Sequence, residues 1–334
     1  MSRYKVLVGS RSFGKGCPEV VDLLTQAGCQ VIPNEVGRAY TEDELIARIP
    51  GIDAFITGVD PITARVLDAA DRLRVISKHG VGVDNIDLAA AAARGIAVGV
   101  AAGTIQDSVA DLTLGLMLAL ARRIPQSSAD LKAGQWKRYR GTELGGKVLG
   151  IVGLGRIGKG VCRRAKGFSM EIMASDVYPD MAFAEQWGVE FVELDDLLAR
   201  ADFVSLHAPL SDSTRELIGA PELACMKPTA YLINTARGGL VDEEALAEAL
   251  QAGKLAGAAT DVFVQEPPGD HPLLRLDNFI ATPHVGGYTA EALRRMGEVT
   301  AENVIRMLRR QRPLYEATLQ GVVNTAHLDT TGGD

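Results

Sequence analysis

The sequence predicts an α/β protein built on two open parallel sheets. Three observations predict it. Short apolar, β-rich runs alternate with helical patterns almost from end to end. One run leads directly into a Gly-x-Gly-x-x-Gly loop and a helix. The length of 334 residues is enough for roughly two domains.

In the first hundred residues the strand patterns fall at 5–8, 30–33, 54–57, 75–78 and 96–100, with helical patterns between them. Thr41-Glu42-Asp43-Glu44 is a capping box that opens a helix. The alanine-rich run 88–94 stops at Gly95, a residue suited to a helix end. These β/α units make one compact domain. The segment 107–123 is apolar on nearly every face, the mark of a buried helix, which Pro125 is expected to end. A polar connection with Trp136 and Tyr139 follows.

A second series starts at Lys147, with strand patterns at 148–152, 171–174, 203–207, 231–234, 258–261 and 279–282. Six such strands match a full dinucleotide-binding sheet. A long helical pattern spans 289–310, and the final Thr-Thr-Gly-Gly-Asp is expected to fray.

Composition narrows the function. Hydrophobic residues at 47% and charged residues at 23% belong to a folded chain. A net charge of −7 gives no electrostatic reason to bind nucleic acid or an anionic membrane. The N-terminus lacks a signal-peptide pattern, and no apolar run reaches the ~18 residues of a membrane span. Cys17, Cys29, Cys162 and Cys225 show no CxxC or metal spacing and read as small core residues in a reducing cytoplasm.

The glycine loop is Gly153-Leu154-Gly155-Arg156-Ile157-Gly158. Gly153 permits the tight turn, Gly155 lets the backbone approach a pyrophosphate, and Gly158 lets the helix pack on the strand. The helix start adds free amides and a positive dipole. Asp176 ends the next strand, close to the ~20-residue spacing of a ribose-binding acid. No Arg or Lys stands at 177–179, so the pattern favours NAD over NADP. The competing reading is a structural turn with a solvated aspartate.

Of the five histidines, His284 and His207 follow strand ends, where open α/β sheets bind ligands. His79 reads as a polar residue at a strand end, and His271 and His327 read as solvated.

At this point several segments resemble the D-isomer-specific 2-hydroxyacid dehydrogenase family, which includes phosphoglycerate dehydrogenases and glyoxylate/hydroxypyruvate reductases. They are GLGRIG at 153–158, VSLHAPL at 204–210, LINTARGGLVDEEAL at 232–246, TDVFVQEPP at 260–268 and TPHVGGYT at 282–289. KHGVGVDNID at 78–87 and SVADLTLGLMLALAR at 108–122 are similar to the family's substrate loop and interdomain helix. The resemblance implies a Rossmann NAD-binding domain, 102–290, inserted in a flavodoxin-like substrate domain, 1–101 plus 291–334. A cleft between them is expected to close and exclude water.

The resemblance further implies a catalytic set of Arg237, Glu266 and His284. An arginine fork suits a carboxylate and the adjacent carbonyl, a histidine moves the proton, and an acid orients the ring. Hydride passes directly to the substrate carbon, so no metal is required. Cofactor contacts fall on Gly153, Gly155, Arg156, Ile157, Gly158, Asp176, His207, Ala208, Pro209, Thr214, Thr235, Ala236, Asp261 and Gly287. Asp261 is placed on the nicotinamide carboxamide, ahead of a competing reading as a buried structural aspartate. Substrate contacts fall on the amides of Val81 and Gly82, on Arg237 and His284, and on Lys78, which equally suits a plain surface lysine. Trp136 reads as an anchor of a homodimer contact.

Two departures blur the subfamily. The stretch 101–105 lacks the family's Asn and Pro, and Asp111 stands where Glu is frequent. The short tail gives no expectation of a serine-feedback domain. The expected activity is therefore NAD-dependent 2-hydroxyacid dehydrogenation, on 3-phosphoglycerate/phosphohydroxypyruvate first and glyoxylate/hydroxypyruvate second. The rivals are a non-catalytic NAD-sensing corepressor-like protein and a formate-type dehydrogenase; the Arg–Glu–His set argues against the first, and the absence of a long N-terminal extension against the second.

Asp176→Ala is expected to relax the preference for NAD over NADP. An unchanged ratio of kcat/KM for the two cofactors refutes the ribose assignment.

Overall fold

The computed structural model describes residues 3–319 and 321–325. It divides into two compact units. One runs to Ile105 and resumes at Thr289; the other is Gln106–Tyr288.

The first unit begins β1 (Tyr4–Val8), α1 (Glu19–Gln26), β2 (Cys29–Ile32), α2 (Glu42–Arg48), β3 (Ala54–Thr57), α3 (Ala64–Asp68), β4 (Val75–Lys78), α4 (Leu88–Ala93) and β5 (Ala97–Val100). These strands lie parallel in the order β2-β1-β3-β4-β5, the flavodoxin-like arrangement. Strands β3 and β4 are buried at every residue, as a sheet covered on both faces requires. One face packs Leu45, Ile49, Val66, Leu67 and Ala91. The other packs Val20 and Leu24 with Ala301 and Val304 of the long C-terminal helix. The capping box forms as expected: Thr41 accepts from the Glu44 amide, and Glu44 accepts from the Thr41 amide.

The second unit contains α5 (Gln106–Ala121), α6 (Ile124–Lys132), β6 (Val148–Val152), α7 (Arg156–Gly167), β7 (Glu171–Ser175), α8 (Met181–Trp187), β8 (Val189–Phe191), α9 (Leu194–Arg200), β9 (Phe203–Leu206), α10 (Ala220–Cys225), β10 (Tyr231–Asn234), α11 (Glu243–Gln251), β11 (Gly257–Thr260) and β12 (Phe279–Ala281). All seven strands are parallel, in the order β12-β11-β10-β9-β6-β7-β8. The order reverses between β6 and β9, the switch point at which such sheets open a ligand crevice. The chain then returns to the first unit as α12 (Ala290–Leu308), β13 (Tyr315–Thr318) and β14 (Gly321–Asn324).

Three expectations change. The cofactor sheet gains β8, a three-residue edge strand too short to show a pattern. The hairpin β13–β14 adds antiparallel strands to the first sheet, pairing through Glu316 with Gly99 of β5. Pro125 does not end α5. The helix stops at Ala121, Arg123 adopts a left-handed φ of 48°, and Pro125 sits in the first turn of α6, where its missing N–H costs nothing. Residues 330–334 and His327 lie outside the described residues. Among the described residues no helix is long and apolar enough to cross a membrane.

His79, expected as an ordinary strand-end residue, is buried against the edge of Phe13, with Nδ1 3.3 Å from the Thr300 hydroxyl. Burial, aided by the neighbouring Lys78 charge, pushes its pKa down to about 3. The imidazole is therefore neutral in the folded chain and takes up a proton on unfolding at mildly acid pH. Stability should fall as pH drops from about 6.5 towards 3, because the unfolded state binds the extra proton. His79→Gln is expected to flatten that slope between pH 7 and 4.5, measured as urea midpoints. An unchanged slope contradicts the buried neutral ring.

Candidate active site

The glycine loop leaves β6 at the switch point. Gly153 has φ of 91°, and a Cβ there would lie 2.7 Å from the Ala208 nitrogen, against the chain leaving β9. At Gly158 a Cβ would meet the Gly153 carbonyl at 2.3 Å. Both glycines are demanded by the chain's own packing. Gly155 is different: a Cβ there meets nothing within 4 Å. No internal contact explains its missing side chain, and the space lies at the N-cap of α7, where helix amides and dipole favour an anion. Asp176 braces this loop, accepting from the Leu154 amide at 2.6 Å and the Tyr178 amide at 2.8 Å. Arg156 is exposed at the first turn and Ile157 packs inward.

Beside the glycine loop, the His207 amide donates to the Val152 carbonyl at 2.7 Å. Its Nε2 lies 2.8 Å from the Ser205 hydroxyl, while Nδ1 is buried without a partner. Desolvation pushes its pKa down to about 3, so the ring is neutral. Thr214 closes the loop after β9 by donating to the Pro209 carbonyl at 2.7 Å. An open face at Gly155, an anion-favouring helix start, a carboxylate at the end of β7 and an orphan imidazole nitrogen together fit a dinucleotide.

Three further loops carry the catalytic candidates. After β10, the Asn234 side chain accepts from the Ala236 amide at 3.0 Å and donates to the Arg237 carbonyl at 2.8 Å, folding Thr235–Arg237 into a tight bend. Thr235 is buried with its hydroxyl 3.0 Å from that of Thr113 on α5. Gly238 then touches the loop after β11: a Cβ there would lie 2.0 Å from the Phe263 carbonyl carbon. This approach packs the Arg237 bend directly on the chain leading to Glu266.

Glu266 accepts from the Phe263 amide at 3.1 Å through Oε1, and its Oε2 lies 2.8 Å from His284 Nδ1. Partial burial works to raise its pKa. The bond and charge of His284, the Phe263 amide and nearby Arg237 outweigh that, leaving the carboxyl below its ordinary range. His284 itself has φ of 52°, the left-handed region that costs a non-glycine residue roughly 1–2 kcal/mol. Asp261 imposes this shape. Its buried carboxylate takes the Thr282 hydroxyl at 2.6 Å, the Val285 amide at 2.8 Å and the Gly286 amide at 2.7 Å. Its carbonyl accepts from the His284 amide at 2.8 Å. The less favoured sequence reading of Asp261, a buried structural aspartate, thus describes its place in the fold. Gly287 lies in the same loop, half-buried.

In the first unit, Val81 and Gly82 follow β4 and are half-buried. Lys78 is buried rather than a surface lysine, its ammonium donating to the Gly58 carbonyl and to Asn85 Oδ1 at 2.7 Å. Among the described residues no group of His, Cys, Asp and Glu is arranged to hold a metal ion.

Sequence reading missed Asn234, Gly238, Glu243 and His271. His271, expected to be solvated, is half-buried with Nε2 3.1 Å from Glu243 Oε2. Glu243 read only as the start of a helix, since its partners lie about 20 and 30 residues away and no local pattern announces them.

This is a dinucleotide-binding α/β chain with an Arg–Glu–His constellation on its strand ends. Residues 114–286 match the model of the family described as "D-isomer specific 2-hydroxyacid dehydrogenase, NAD binding domain". A D-3-phosphoglycerate dehydrogenase of Methanocaldococcus jannaschii is 49% identical over 279 residues, 82% of this chain and 53% of the relative. A hydroxypyruvate reductase of Thermotoga maritima is 41% identical over 92% of this chain and 99% of the relative. The crystal structure of TT0316 protein from Thermus thermophilus superposes with a TM-score of 0.85 at 40% identity, covering 94% of this chain and all of that one. The chain belongs to the D-isomer specific 2-hydroxyacid dehydrogenase family and carries its NAD binding domain. It spans about half the length of the phosphoglycerate dehydrogenases it matches.

Asp261→Asn sets an NH2 against the donors of residues 282–286, a loss of about 1–3 kcal/mol. Amide exchange at Val285 and Gly286 is expected to accelerate about ten-fold or more. Unchanged exchange rates remove Asp261 as the strut.

Proposed function

We propose that the protein is an NAD-dependent dehydrogenase of 2-hydroxy acids, acting on 3-phosphoglycerate and phosphohydroxypyruvate. The observation that carries the reading is the 2.8 Å bond between Glu266 and His284, on loops packed beside Arg237 and next to a loop that fits a dinucleotide.

His284 uses Nδ1 for Glu266, which leaves Nε2 to exchange a proton with the substrate oxygen. Glu266 holds the ring in that tautomer and stabilises it when charged. Arg237 holds the substrate carboxylate and steadies negative charge on the C2 oxygen. NADH, when bound, would supply the hydride for C2. Gly153, Gly155, Arg156, Ile157 and Gly158 would hold its pyrophosphate and Asp176 its ribose. His207, Ala208, Pro209 and Thr214 flank the adenosine side; Thr235, Ala236, Asp261 and Gly287 flank the nicotinamide side.

The insert of residues 102–290 is assigned to the cofactor, and 1–101 with 291–334 to the substrate. Val81 and Gly82 offer the carboxylate two backbone amides. Lys78, already engaged by Gly58 and Asn85, shapes their loop. A cytoplasmic homodimer is the assembly we assign. Its support is α6, which buries no residue of its own and runs towards Trp136, 82% exposed.

A second reading, hydroxypyruvate or glyoxylate reduction, is favoured by the end-to-end match to the Thermotoga relative.

NADH oxidation across a panel of 2-keto acids tests both readings. Phosphohydroxypyruvate should give the highest kcat/KM; a higher value with hydroxypyruvate or glyoxylate selects the second reading. No turnover on any of them, with NADH still bound, selects a sensor. His284→Ala should lower kcat by about 10²–10⁴-fold with NADH binding retained. An unchanged kcat removes its proton role.

A further inference from the structure

The loop that carries Glu266 is held by a second carboxylate–imidazole pair. Glu243 opens α11, and its Oε1 accepts from the Val264 amide at 2.8 Å. Its Oε2 lies 3.1 Å from His271 Nε2. His271 accepts from the Leu273 amide at Nδ1, 3.3 Å, capping a short 3-10 helix, Pro272–Arg275. Nδ1 is therefore the unprotonated nitrogen, and Nε2, which carries the ring proton, lies beside the Glu243 carboxylate. The His271 ring also meets the edge of Phe263, with centroids 5.6 Å apart.

The two-residue segment Phe263–Val264 is thus gripped from three sides. Gly238, next to Arg237, packs on its backbone; Glu243 takes the Val264 N–H; Glu266 takes the Phe263 N–H. Neither Glu243 nor His271 belongs to the Arg–Glu–His set. We infer that Glu243 and His271 form a positioning pair that sets the Glu266 carboxylate against His284 by fixing the Phe263–Val264 peptide. The inference rests on the dehydrogenase reading for its kinetic consequences but not for its geometry.

Glu243→Gln is nearly isosteric and separates the two roles of the carboxylate. A carboxamide can keep one acceptor, yet its NH2 then faces either the His271 Nε2–H or the Val264 N–H. His271 cannot give up its Nε2 proton to Nδ1 while Nδ1 serves the Leu273 amide. His271→Asn keeps a cap acceptor for Leu273 and loses the reach to Glu243.

With the peptide loosened, the bonds from His284 and the Phe263 amide to Glu266 weaken. Arg237, His284 and the Phe263 amide are the groups that hold the Glu266 carboxyl below its ordinary range. Its pKa then rises towards that range, and activity on acidification is lost at a higher pH than in the parent protein.

The test is made on the full chain. Each variant should lower kcat about ten-fold, through a small misplacement of the catalytic group, with the Kd for NADH unchanged. The acid limb of the pH profile should move up. In a Glu266→Gln background neither variant should lower kcat further, because the pair acts through Glu266. Multiplicative losses, or a static acid limb, overturn the inference and leave Glu243 and His271 as parts of the scaffold. A readout independent of turnover separates this from failure of the dehydrogenase reading. The His284 Nδ1–H resonance, identified by its loss in His284→Ala, should shift in Glu243→Gln in the same direction as in Glu266→Gln. An unmoved resonance in both Glu243→Gln and His271→Asn overturns the positioning role, whatever the substrate panel shows.

Discussion

The site depends on one close approach, Gly238 against the Phe263–Val264 peptide. A single added carbon at Gly238 would fall 2.0 Å from the Phe263 carbonyl carbon and force the two loops apart. Arg237 belongs to one of these loops and Glu266 to the other. Backbone-to-backbone packing leaves little slack, because neither partner has rotamers with which to adjust. The arginine and the acid are placed by chain geometry before any side-chain bond is counted.

The same logic places His284. It takes its left-handed backbone because Asp261 collects a hydroxyl and two amides from the 282–286 loop while offering its carbonyl to the His284 amide. Buried carboxylates are costly unless satisfied, and this one is satisfied only when the loop is bent as found. The cost of a strained histidine is offset by the cost of leaving Asp261 unpaired. Glu266 then meets a ring already in position, so the 2.8 Å bond adds orientation and charge rather than overall shape.

Much of the fold was legible from sequence because its cues are local. Strands β3, β4, β6 and β10 coincide with their apolar runs, since a parallel strand covered on both faces is a near-continuous apolar run. The capping box at Thr41 and the glycine loop at 153–158 are read within a few residues. What escaped was short or non-local. Strand β8 has three residues and sits at an edge, and β13 joins the first sheet only after the chain has returned through α12. Pro125 carries the same local signal at a helix end as at a helix start, and only the left-handed turn at Arg123 decides between them.

By itself, the sequence determined the α/β class, the alternation of strand and helix and the dinucleotide loop, while its resemblance to a family pointed to Arg237, Glu266 and His284. The first three follow from periodicity and from motifs whose chemistry lies in contiguous residues. Tertiary structure alone decided that Asp261 is a strut for the histidine loop and that Lys78 is buried against Gly58 and Asn85. It alone showed that His271 is half-buried against Glu243 rather than solvated. Each of these depends on two loops meeting after distant strands pair. A carboxylate's partners are then set by the sheet register, which no window of sequence contains.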